Sequence, residues 1–371
     1  MTQVGTLIGA YRLLGEFGTQ DAGNGRWAFA ERDGREYFIK QFLRPKYPEP
    51  SSPGTAEGKA RRRAECDEFE AFQASVREAL QRAVGGGGLL VPIVDVFRVG
   101  PRYYKVTDKV DVSGLTIGEI ARLPLRDRLT MMLTAAHGLG VVHDQNLVHG
   151  DLKPPNILIK RTETSYSARL IDFDASYFGG EPPSYDVIQG DFGYYSPELL
   201  TYVHGRGTPE SMTTASDIFS LGVVFHEYLT GEKPAFDGGD GHYSCEQVAR
   251  GGVLRVPEAG PTTGEEAHLW ILLRDMLRGT PGERPSATQV KARLRSGTTS
   301  PPPPMRPVLP MPPPARPMPP VPAPPMPPQA PPMPPMPPPD DPPRVTEPVP
   351  STSSDGSPKL RRQRIPPRSD R

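Results

Sequence analysis

The sequence predicts an α+β chain of two lobes, a small β-rich one followed by a larger helical one, with an extended proline-rich tail. Three observations carry this. Short alternating apolar runs separated by glycine-containing turns fill roughly the first 110 residues. Longer segments built from helix formers dominate the stretch from there to about residue 296. Of the 49 prolines among 371 residues, 28 lie between positions 301 and 350, so the part able to build a core ends near residue 296.

In chain order, Tyr11 to Phe17, Arg26 to Glu31 and Glu36 to Phe42 read as three antiparallel strands, the last two joined by the turn Arg32-Asp33-Gly34-Arg35. Pro45 to Gly58 reads as a loop. Lys59 to Val84 contains neither proline nor glycine and should be one long helix, ended by Gly85 to Gly88. Val91 to Arg98 and Tyr103 to Thr107 are further strands. Helices are expected over Leu125 to Gln145, Ser216 to Thr230 and Glu265 to Arg278, with short strands at Ile157 to Lys160 and Ala168 to Ile171. The tail, 297–371, should be polyproline II, because proline fixes φ and lacks an amide donor. It serves as a solvated spacer or as a ligand for domains that grip Pro-x-x-Pro.

Composition narrows the function. Forty-three basic and 43 acidic residues give a formal net charge of zero, which points to neither nucleic acid nor an anionic membrane as an obligatory partner. The two cysteines, Cys66 and Cys245, stand far apart, outside any metal-ligand spacing, as suits a reducing compartment. Residues 1–10 lack the pattern of a signal peptide, and no run of about 18 apolar residues could span a bilayer. The chain therefore reads as cytoplasmic.

The chemistry is concentrated in His149-Gly150-Asp151-Leu152-Lys153-Pro154-Pro155-Asn156, followed sixteen residues after the asparagine by Asp172-Phe173-Asp174. These segments resemble the catalytic loop and the metal-binding Asp-Phe-Gly of the eukaryotic-like (Hanks-type) serine/threonine protein kinase family. Phosphoryl transfer needs a carboxylate for the acceptor hydroxyl, metal ligands and cations on phosphate, and this constellation supplies all three. The resemblance implies a two-lobed kinase fold, ATP and Mg²⁺ as cofactors, and a protein substrate. It implies that Asp151 accepts or orients the hydroxyl proton, Lys153 neutralises the γ-phosphoryl, and Asn156 and Asp172 hold the metal. Lysine two residues after Asp151 is similar to the serine/threonine branch.

Further landmarks fall in the family's order. Lys40, in Tyr37-Phe38-Ile39-Lys40, resembles the lysine that grips the α- and β-phosphates. Its helical glutamate partner is sought among Glu65, Glu68, Glu70 and Glu78; Glu70 is favoured beside the inward Phe69, whereas Glu78 better suits the distance to the next strand. Backbone groups of Asp108 and Val110 would hold the adenine at a hinge over 108–112, with Thr107 at the back of the pocket. Ser196-Pro197-Glu198 resembles Ala-Pro-Glu, Asp217 the helical aspartate that organises the catalytic loop, and Arg284 the late arginine that pairs with the glutamate.

Departures are informative too. The glycine-rich loop is loose, with Gly15 and Gly18 followed by Gly23 and Gly25 in place of Gly-x-Gly-x-x-Gly. Gly150 replaces the family's arginine, removing the main electrostatic reason for switching by a phosphorylated activation segment. Asp174 and Asp191 replace a glycine and a threonine. The resemblance covers 8–296, with a first lobe over about 8–107 and a second over about 113–296. High glycine, proline and arginine usage is similar to bacterial members of the family. An active kinase, a nucleotide-binding pseudokinase scaffold, and an adaptor acting through the tail are the readings to separate.

Overall fold

The computed structural model describes residues 3–19, 25–83, 88–188, 190–236, 243–257 and 264–296. The expectations for the tip of the glycine-rich loop, for the end of the long helix at Gly85 to Gly87 and for the tail fall outside these residues.

The first lobe is a six-stranded antiparallel sheet. Its strands are β1 (Leu7–Ile8), β2 (Tyr11–Leu13), β3 (Gly25–Arg32), β4 (Arg35–Phe42), β5 (Ile93–Val99) and β6 (Arg102–Asp108), in the order β1-β2-β3-β4-β6-β5. Three strands expected near the start thus belong to a larger sheet. Asp33 and Gly34 join β3 to β4, both with positive φ (54° and 75°). That geometry matches the right-handed twist of a two-residue hairpin.

Sheet parity decides what faces the second lobe. Alternate side chains of β4 point to opposite faces. Tyr37 and Ile39 join Tyr11, Leu13, Ala28, Ala30, Tyr104 and Val106 in a core on one face. Phe38 and Lys40 therefore share the other. The long helix α1 (Ala56–Ala83) packs the stripe Cys66, Gln73, Val76, Leu80 and Ala83 inward. That spacing of three and four residues is the helical period.

The second lobe contains α2 (Ile117–Arg122), α3 (Leu125–His143), β7 (Leu147–Val148), β8 (Ile157–Arg161), β9 (Tyr166–Leu170), β10 (Tyr177–Phe178), α4 (Pro197–Val203) and α5 (Ala215–Thr230). It continues with β11 (Ala235–Phe236), α6 (Ser244–Ala249), β12 (Leu254–Arg255), α7 (Gly264–Met276) and α8 (Ala287–Ser296). Ser216 to Tyr228 of α5 are all buried, so this helix is the axis of the lobe rather than an amphipathic surface element. Its core, with α3, α7 and α8, forms the largest apolar cluster. No described helix is long and apolar enough to cross a membrane.

Both thiols lie in core positions, and burial pushes each up, Cys245 to about 12. The thiolate is the reactive species. At pH 8 the native chain should resist iodoacetamide and gain two adducts after denaturation, read by intact mass; rapid alkylation of the native chain would contradict this packing.

Candidate active site

The antiparallel pairing of β7 with β10 and the turn before β8 bring the catalytic-loop residues together. Asn156 donates through Nδ2 to the Asp151 backbone oxygen at 2.7 Å and to Asp151 Oδ2 at 2.9 Å. Lys153 Nζ stands 2.8 Å from the same carboxylate oxygen. Asp151, Lys153 and Asn156 thus form one polar group. Its backbone is fastened from below by Asp217 on α5, whose carboxylate accepts from the amides of His149 at 2.7 Å and Gly150 at 3.1 Å and meets His143 Nε2 at 2.9 Å.

His149 links this loop to the next segment. Its Nε2 lies 2.9 Å from the Ile171 carbonyl, and its ring packs 4.8 Å from that of Phe173. Asp172 takes a left-handed conformation (φ 60°, ψ 68°), unusual outside glycine. Gly150, at φ 78°, has no room for a side chain: a Cβ there would run into the Ala175 carbonyl. The family's arginine is incompatible with this packing. Gly150→Arg should therefore lower stability by at least about 1–2 kcal/mol, the cost of the backbone conformation alone. A thermal melt checks this, and a variant as stable as wild type would contradict it.

Above Asp172, the sheet supplies two lysines. Lys40 Nζ lies 3.1 and 3.0 Å from the two Asp172 oxygens and 2.7 Å from Asp174 Oδ2. Lys105, directly opposite Lys40 in the β4–β6 register, reaches Asp172 Oδ1 at 3.4 Å and is bonded to Asp174 Oδ1. Burial alone would raise the Asp172 carboxyl, but the ammonium groups of Lys105 and Lys40 outweigh it and hold it well below the usual range. Burial opposes the charge on Lys40, yet Asp174 and Asp172 hold its pKa above the ordinary lysine value.

Glu70 requires a correction. It does not meet Lys40; it accepts the Tyr103 hydroxyl at 2.6 Å, at the edge of a cavity of about 530 Å³ between α1 and β5. The reason is the register of α1, whose inward stripe passes through Cys66 and Gln73 and leaves Glu70 on the exposed flank. Phe69 does turn inward, 5.0 Å from Phe42. Glu78 is not the partner either, because it pairs with Arg82 at 2.5 Å.

Gly25 opens β3 opposite Phe42, and Gly15 lies in open space with nothing within 4 Å of its would-be Cβ. At the hinge, Asp108 ends β6 and its carboxylate faces Arg35 at 3.5 Å, with Val110 just beyond. Sequence reasoning missed an aromatic ceiling on the Lys40 face. Trp27, across from Lys40, stacks on Phe38 at 5.3 Å, and Phe29 meets Phe38 edge-on at 6.3 Å. Period-2 spacing of Phe38 and Lys40 hinted at it; the partners required the strand register.

The 190–198 segment lies beside Asp151. Burial first, then the Asp151 carboxylate, pushes the Tyr195 phenol up to about 12. Asp191 turns onto its own loop, accepting the Gly193 amide at 2.8 Å. Glu198 forms a buried two-pronged pair with Arg284, at 2.6 and 2.8 Å. Asp172 and Asn156 present the oxygen donors a hard cation such as Mg²⁺ accepts. With its amide nitrogen engaged by Asp151, Asn156 keeps the carbonyl oxygen for such a role.

Comparison with known proteins agrees with this geometry. The chain is 29% identical over 165 residues to the serine/threonine-protein kinase pkn2 of Myxococcus xanthus, a match covering 44% of this chain and 20% of that protein. It is 34% identical over 165 residues to the serine/threonine-protein kinase PknA of Corynebacterium glutamicum, covering 44% and 32%. The matches thus span a third or less of these relatives' own length. The Cydia pomonella granulovirus kinase PK-1 has a similar fold, with TM-score 0.53 and 18% identity over 76% of this chain and 92% of that one. The family model described as protein kinase domain matches residues 90–294, from just ahead of β5 into α8, leaving the divergent glycine loop and Lys40 before its start. With the catalytic loop, the Asp-Phe-Asp segment and the Glu198–Arg284 pair all inside that span, the chain belongs to the protein kinase domain family.

Proposed function

We propose that this chain is a serine/threonine protein kinase that moves the γ-phosphoryl of ATP to a protein hydroxyl, with residues 8–296 as its catalytic unit and 297–371 as an appended tail. The observation that carries the reading is the convergence of Lys153 and Asn156 on the Asp151 carboxylate, with Lys40 and Asp172 paired across the cleft.

In this reading Asp151 receives the proton of the acceptor hydroxyl, and the Lys153 ammonium stands beside the phosphoryl being moved. Lys40 holds the phosphates, while Asp172 and Asn156 hold Mg²⁺, which when bound neutralises charge on the phosphate oxygens. Asp108 and Val110 offer backbone groups to the adenine edge, and the rings of Phe38 and Trp27 cover its face. Asp217 acts on the reaction only by fixing the loop that carries Asp151.

Serine/threonine selectivity is supported by the two bacterial relatives, whose names state it, and by Lys153. The pseudokinase alternative loses weight because Lys40, Asp151, Asn156 and Asp172 are all present. The test is to incubate the full chain with γ-labelled ATP, Mg²⁺ and a generic basic protein, then hydrolyse and identify the labelled amino acid. Phosphoserine or phosphothreonine is expected. Label confined to phosphotyrosine would overturn the selectivity, and nucleotide binding without label would favour the scaffold.

A further inference from the structure

We propose that Lys105 and Asp174 are a positioning pair that does for Lys40 and Asp172 what the helix glutamate does elsewhere in the family, so that Lys40 is held from the second lobe and not from α1. The inference rests on the kinase reading above.

The starting point is the strand register. Lys40 and Lys105 are direct partners on β4 and β6, and both are almost fully buried, at 5% and 3% exposure. Side chains at such positions stand side by side, and like charges there repel. Two buried ammonium groups persist together only if anions meet them. One carboxylate cannot neutralise both.

The second anion is Asp174, at the position the family gives to glycine. Its two oxygens divide between the lysines, Oδ2 at 2.7 Å from Lys40 and Oδ1 bonded to Lys105, while Asp172 contacts the same two ammonium groups. The four side chains form a closed set of two positive and two negative charges. Each departure is intelligible only with the other. Asp174 without Lys105 adds a surplus negative charge beside Asp172; Lys105 without Asp174 adds a surplus positive one.

The usual source of an anion is meanwhile committed elsewhere, since Glu70 is bonded to Tyr103 and the buried stripe of α1 carries Cys66, Gln73, Val76 and Leu80. When Lys40 and Asp172 turn to phosphate and cation, Lys105 and Asp174 remain paired. They keep the Asp-Phe-Asp segment against the sheet and Lys40 in register.

The test is a double-substitution cycle in the full chain: wild type, Lys105→Met, Asp174→Gly and both together, with Lys105→Arg as the conservative variant. ATP affinity with Mg²⁺, KM for ATP, KM for the protein substrate and melting temperature are read for each. Each single variant should weaken ATP binding and raise KM for ATP by about tenfold, leave KM for the protein substrate alone, and be partly rescued in the double variant, whose loss is smaller than that of either single and so falls short of the product of the singles by more than about tenfold. Lys105→Arg should retain most of the affinity. Independent effects, singles within twofold of wild type, or a melting-temperature change with no change in ATP affinity would overturn the pair. If wild type binds ATP and the cycle is coupled but no phosphate is transferred, the kinase reading fails and the pair stands; transfer by wild type with an uncoupled cycle sinks the pair alone.

Discussion

Asp151→Asn should lower the rate of phosphate transfer by about 10²–10⁴-fold, the usual worth of a positioned proton acceptor, while changing nucleotide affinity only a few-fold. The substitution keeps the size and shape of the side chain. Its amide can still meet Lys153 or Asn156 through oxygen, so the loop held by Asp217 retains its amide bonds to His149 and Gly150. What disappears is the basic oxygen that takes the hydroxyl proton. Initial rates and a nucleotide-binding isotherm on the same preparation separate the two effects, and an equal fall in both would mean that the loop had collapsed instead.

The second large effect is on stability. Arg284→Met should cost about 3–5 kcal/mol, because it leaves Glu198 charged and buried with its partner gone. Every N–H of Arg284 has an acceptor: two reach Glu198, and the others reach the carbonyls of Arg278 (2.8 Å), Ala215 (2.8 Å) and Gly279 (3.1 Å). Phe219 packs against the guanidinium plane, 5.1 Å from its ring centre. The change therefore frees three backbone carbonyls as well as a carboxylate, and unties α4 from the start of α5 and from the loop before α8. Thermal or urea melts check this. Arg278, half exposed and paired with Asp275 and Glu283, serves as the contrast, and its truncation to alanine should move the melt far less than Arg284→Met does.

Much of the candidate site was legible because its chemistry lies in contiguous stretches. The catalytic loop, the Asp-Phe-Asp segment, Lys40 on a strand, Glu198 and Arg284 all sit in runs whose order could be read directly. The long helix and the helix beginning near Ser216 were also visible, the first from its freedom from proline and glycine and the second from its apolar length. What failed to show was what depends on register. Lys105 meets Lys40 only through the pairing of β4 with β6, 65 residues apart in the chain. Trp27 and Phe29 face the cleft only because β3 pairs with β4 in one particular alignment. Glu70 was misplaced for a related reason: four glutamates on one helix differ by fractions of a turn, and the apolar stripe through Val76 and Leu80 sets which face turns inward. Short elements such as β1, α4 and α6 are fixed by tertiary contacts and caps, as with Ser196 accepting the Leu199 amide at 3.2 Å, and have too little sequence to announce themselves.

The most direct test of the central claim is the Mg²⁺-dependent initial rate of γ-phosphate transfer from ATP to a generic basic protein by the full chain, set against Lys40→Met. Transfer that requires Mg²⁺ and falls by at least about 10²-fold in the variant is the result the account predicts. A chain that binds ATP yet transfers nothing, or one whose rate is indifferent to Lys40, would contradict it.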